Sequence, residues 1–117
     1  MKRILVALSM AATLVLAGTG FGYAQEEDHM AQAHKHASAA VEHGKMGHAD
    51  VLTQHAEQAL QHAKAAEKEK SDPDIKQAIK HLEEAIIHGK IGHADVATEH
   101  ATEAVNSIDA SKSALGG

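Results

Sequence analysis

The sequence predicts an all-α protein, an antiparallel up-down four-helix bundle made of two repeated helical hairpins. Three observations carry that expectation. Sliding the 117-residue chain by 45 positions lays His36–His62 over His81–Ser107 with 14 of 27 positions identical, so one unit is used twice. Alanine and aliphatic residues recur at steps of three and four through both units, the period of a helix that buries one stripe. Each unit is interrupted once, by HGKMGH from His43 and by HGKIGH from His88. A glycine-bearing four-residue turn between two helical runs makes them antiparallel neighbours.

The elements follow in order. Met1, Lys2 and Arg3 form a positive head, residues 4–17 a mostly apolar run and Gly22-Tyr23-Ala24 a small-x-small site, so residues 1–24 read as a secretory signal peptide. The run falls short of the ~20 residues that span a bilayer, and the chain has no cysteine to carry a lipid anchor. Residues 25–117 are therefore expected as one exported, periplasmic domain with no membrane attachment, and as a monomer.

Helix one is expected over about 27–43, with Ala33, Ala37 and Ala40 on its seam and only Met30 and Val41 as larger apolar residues. Helix two, 48–69, presents Leu52, Ala56, Ala59, Ala63 and Ala66, and closes hairpin one at 27–69. The charged link that follows ends in Asp72-Pro73, an N-cap followed by proline at the first helical position. Helix three, 73–88, is richer, with Ile75, Ile79, Leu82, Ile86 and Ile87 beside Ala78 and Ala85. Helix four, 93–111, carries Ala94, Ala97, Ala101, Ala104 and Ile108 and completes hairpin two at 73–111, leaving 112–117 as a frayed tail.

Composition narrows the function. Phe21 and Tyr23 both precede the expected cut, so the remaining chain has no aromatic platform on which nucleic-acid bases stack. Without Lys2 and Arg3, nine lysines face sixteen acidic residues, a net −7 that repels phosphates and attracts cations. Nucleic acid is not an expected partner. With no cysteine, disulfides, zinc ribbons, iron–sulfur clusters and thiol nucleophiles are excluded, so any metal has nitrogen and oxygen ligands.

The eleven histidines supply that nitrogen. With the seam as heptad positions a and d, His29, His36, His43, His48, His55, His62, His81, His88, His93 and His100 all fall at g; His34 alone falls at e. Seven residues advance a helix by about 10.5 Å, so neighbours along one stripe cannot share an ion. Across a hairpin they can. His29/His62, His36/His55 and His43/His48 share the midpoint 45.5, and His81/His100 and His88/His93 share 90.5. Each pair is expected as a rung between antiparallel helices, with Asp74 and Ser107 at the place of a missing sixth. Glu84 and Glu103, near the rungs of hairpin two, are possible auxiliary ligands.

A histidine on a helix edge is ordinarily solvated surface, and duplication alone would copy it into a second unit. Duplication does not produce mirror pairing inside each unit. Imidazole with carboxylate or water suits Cu(II), Zn(II) and Ni(II), with Cu(II) favoured by intrinsic affinity. Cu(I) is disfavoured, because Met30 and Met46 are the only sulfur ligands left. Near-identical rungs describe storage of several ions rather than one tuned catalytic centre, so no enzyme is expected. Two rival readings are a haem-binding bundle, which needs a large apolar slot, and a pH-responsive bundle in which facing imidazoles repel when protonated.

The heptad-spaced histidines and HGKxGH turns, over His29–Ser107, resemble the small periplasmic metal-binding proteins of ammonia-oxidising bacteria. That resemblance implies a four-helix bundle whose histidines at the matching positions hold Cu(II) and other divalent cations, for metal buffering or detoxification. Asp74 and Ser107 depart from the pattern, so hairpin two should hold less metal.

Overall fold

The computed structural model describes residues 28–116; the expected signal segment lies outside the described residues. Four helices are present, α1 (His29–Lys45), α2 (Ala49–Glu69), α3 (Pro73–Lys90) and α4 (Ala94–Gly116), with no strand among the described residues. Packing runs round a ring, α1 on α2, α2 on α3, α3 on α4 and α4 on α1, as an up-down bundle requires. The α1/α2 and α3/α4 grooves therefore lie on opposite flanks.

The seam closes as its period dictates. Ala33, Ala37, Ala40, Ala56, Ala59, Ala78, Ala85, Ala97, Ala101 and Ala104 are fully buried, and Leu52, Leu82 and Ile108 are the large side chains among them. Alanine at most contact positions lets the four backbones approach closely. Ile87, expected with the apolar face of α3, is instead 54% exposed, because it lies one position beyond the buried stripe.

Helix starts follow their caps. Asp28 accepts from Ala31 N at 3.0 Å, and Asp72 accepts from Asp74 N at 2.7 Å and Ile75 N at 3.2 Å with Pro73 next, as the sequence predicts. Glu67 ties down the link between hairpins by accepting from Ser71 Oγ and Asp72 N.

Helix ends differ from expectation. α1 and α3 continue two residues past His43 and His88, so Gly44 and Gly89 are helical and buried. A Cβ on Gly44 would run into Thr98 of α4 and Leu52; one on Gly89 would run into Thr53 of α2. Thr53 and Thr98 occupy equivalent positions in the two repeats, so each hairpin's glycine seats the other hairpin's threonine. The left-handed residues are Gly47 and Gly92, with φ of 81° and 82°. The amides of His48 and His93 then donate to the carbonyls of His43 and His88, each at 2.9 Å, the closing bond of a helix C-cap motif. α4 also runs to Gly116 and not to 111, with Ser111 fully buried, so the expected frayed tail at 112 is helical instead.

Candidate metal centre

The histidine stripes of α1 and α2 meet along one groove, and those of α3 and α4 along the groove opposite. Nδ1 of His29 lies 3.0 Å from Nδ1 of His62, and the same atoms of His36/His55 and His81/His100 are 3.4 Å apart. In each pair one ring donates and the other accepts, according to tautomer. The end rungs, His43/His48 and His88/His93, have ring centroids 5.9 Å apart. All five pairs that share a midpoint face each other.

These distances suit a shared cation. An imidazole nitrogen sits about 2.0–2.1 Å from a bound zinc ion, which puts two ligands at square or tetrahedral angles about 2.8–3.4 Å apart. The three rungs His29/His62, His36/His55 and His81/His100 already have that separation. At the turn ends, Nδ1 of His43 and of His88 is buried with no hydrogen-bond partner among the described residues. A buried lone pair without a donor is costly, and a cation would satisfy it.

The rungs are also linked diagonally, which the midpoints do not show. His36 stacks on His62 at 6.0 Å, His43 on His55 at 5.5 Å and His88 on His100 at 5.6 Å, with planes within 10°. The cause is the tilt of every Cα–Cβ bond toward the helix N-terminus. On antiparallel helices that tilt carries His36 and His62 toward one another's level, and likewise the other two pairs. Six rings in hairpin one thus form a zigzag from His29 to His48 through His62, His36, His55 and His43; four in hairpin two run from His81 through His100 and His88 to His93.

Burial is the largest influence lowering the pKa of His36 below the ordinary 6.5, followed by His55, His62 and Lys35. The ring therefore stays neutral, and so able to donate a lone pair, to a lower pH than an ordinary imidazole.

Carboxylates complete the surroundings. Glu84, His88 and His100 each offer a ligand atom, all within 4.8 Å of one another. Glu103 is exposed and joins no such group among the described residues. Glu69, which sequence reasoning did not single out, has its carboxylate 3.8 Å from Nε2 of His29, as an outer partner to a ring whose Nδ1 faces His62. His34 stands apart from both ladders, with Nε2 3.1 Å from Asp109 of α4. Asp74 and Ser107 leave hairpin two one rung short.

A family model for small metal-binding proteins matches residues 2–111. The chain belongs to the small metal-binding protein family. Comparison with curated proteins returned no match. Membership of the small metal-binding protein family makes metal the general ligand, and the two imidazole ladders are the nitrogen-rich surfaces this chain offers it.

Proposed function

We propose that the chain binds several divalent transition-metal ions, Cu(II) in preference to Zn(II) and Ni(II), between histidines facing each other across its two hairpins. The observation that supports this most is the separation of the rung nitrogens away from the turns, 3.0–3.4 Å in three pairs. Nitrogen-only sites with open positions follow the affinity order that places copper above its neighbours. Many similar sites on the flanks of an alanine core fit buffering, storage or detoxification better than catalysis. Periplasmic residence accords with the signal-like residues 1–24, and the acidic surface would draw cations toward both ladders.

The haem reading finds no slot in the seam among the described residues. Alanines at zero exposure fill the seam from Ala33 to Ala104 and hold the helices together. The pH-responsive reading shares the rungs, since a proton and a metal compete for the same nitrogens.

Calorimetric titration with Cu(II), Zn(II) and Ni(II) at fixed neutral pH tests the proposal. Several equivalents should bind, copper tightest, and EDTA should lower the thermal midpoint of the loaded protein to that of the apo form. A single equivalent, or a midpoint indifferent to metal and chelator, would overturn it.

A further inference from the structure

We propose that Glu84, His88 and His100 form the metal site that fills first, and that hairpin two exchanges it for two histidine-pair sites as metal becomes abundant. The inference rests on the metal-binding reading above and adds an order of filling to it. His88 and His100 are the diagonal pair of hairpin two, stacked at 5.6 Å with planes 10° apart. Glu84 lies four residues before His88, one helical turn away on the same face. One ligand atom from each of the three falls within 4.8 Å of the others, and all three side chains are half-buried.

Two further observations point to a cation there. Nδ1 of His88 is buried without a hydrogen-bond partner among the described residues. Glu84 pairs with no cation among the described residues, whereas Glu57, Glu67 and Glu83 are each held by a lysine. A half-buried carboxylate beside two imidazoles supplies a third donor and cancels part of the charge of a divalent ion.

The first repeat provides a built-in comparison. His43 and His55 form the equivalent diagonal, at 5.5 Å and 9°, but the position of Glu84 is taken by Ala39. An ion on that diagonal meets two nitrogens and no carboxylate. Hairpin one therefore has the larger capacity and hairpin two the tighter first site.

The exchange follows from shared ligands. His100 is also the rung partner of His81, and His88 of His93. One ion on the diagonal takes a ligand from each rung, so the two rungs of hairpin two cannot fill while it stays. Scarce metal favours the three-ligand site, which holds each ion more tightly. Abundant metal favours the arrangement that holds two ions, and Glu84 is then released. The second ion must dismantle the first ion's site, so it binds more weakly than an independent rung would.

The test is a Cu(II) titration of the full chain and of Glu84→Gln and Ala39→Glu, followed by calorimetry and by electron paramagnetic resonance. In the parent chain, the spectrum at about half an equivalent should show mixed nitrogen and carboxylate ligation and give way to a two-nitrogen form at saturation. Loss of a mere outer partner weakens a metal site by about 10–100-fold, so Glu84→Gln should weaken the first equivalent by at least about tenfold and leave the total bound unchanged. Ala39→Glu should create a second tight equivalent, with the same mixed spectrum, in hairpin one. A first equivalent unaltered by Glu84→Gln, or an Ala39→Glu chain without the added tight site, would overturn the inference while several equivalents still bound. Failure of the parent chain to bind several equivalents would overturn the ladder reading itself.

Discussion

Each rung is a contest between a proton and a metal ion for one pair of imidazole nitrogens. A neutral ring offers one lone pair and a protonated ring offers none, so binding needs both partners neutral and is lost more steeply with acid than at a single histidine. Copper should leave the ladders as pH falls from about 7 toward 5, because protons displace metal from imidazole; full occupancy at about pH 4.5 would point to carboxylate sites instead. His36 gives the apo protein its own acid response. Its folded pKa lies below 6.5 because of burial first and His55 and His62 next. The unfolded chain therefore binds the proton more readily. This ring's contribution to stability is intact above about 6.5 and declines as pH falls from there to its folded pKa. His36→Gln should flatten that part of the stability profile and depress copper capacity, and an NMR titration should place the midpoint of the native ring below 6.5. His34→Gln, which alters only a pairing with Asp109, should leave capacity unchanged.

At the scale of the elements, the two glycines of each HGKxGH turn do different work. Gly47 and Gly92 have positive φ and open space around them, so alanine there meets only backbone strain, about 1–2 kcal/mol. Gly44 and Gly89 are helical, and alanine there meets a threonine of the other hairpin, an overpacking cost of about 1–3 kcal/mol. A double-mutant cycle separates the two causes. Thr98→Ala should recover part of the loss in urea stability caused by Gly44→Ala and none of that caused by Gly47→Ala; equal recovery of both would mean the contact is not what Gly44 provides. The sequence places both glycines in the turn, whereas Gly44 and Gly89 are helical and only Gly47 and Gly92 left-handed, a distinction that depends on packing between hairpins. The same limit applies to the histidines. Rungs could be read from midpoints, since a hairpin's fold axis is fixed by its turn. The diagonals depend on side-chain tilt, and treating each residue as a point on a line discards it. His34 and Asp109 lie on helices that meet only in the closed ring, so no local spacing announces them.

For the molecule as a whole, the ladders and the core are complementary in where they bind the helices together. α1 buries only alanines and a glycine, with Met30 and Val41 packed partly against the core, while α3 buries Ile75 and Leu82 and sets Ile79 and Ile86 beside them. Each large aliphatic side chain is worth roughly 1.5–3 kcal/mol when fully buried, so α1 is the helix held least by the apo core. It also carries one side of all three rungs of hairpin one. An ion that binds the folded hairpin alone adds about 2.7 kcal/mol at a hundredfold excess over its Kd, which is comparable with one missing core side chain. Saturating metal should therefore slow amide exchange in α1 more than in α3, and the order of protection between the two helices should narrow or reverse. Hydrogen exchange on apo and fully loaded protein measures this directly. Equal gains in both hairpins, or no gain in α1, would mean that the histidines bind metal without holding that helix in place. At about one equivalent the pattern should invert, because the ion then sits with Glu84 between α3 and α4 and leaves α1 as loose as in the apo chain.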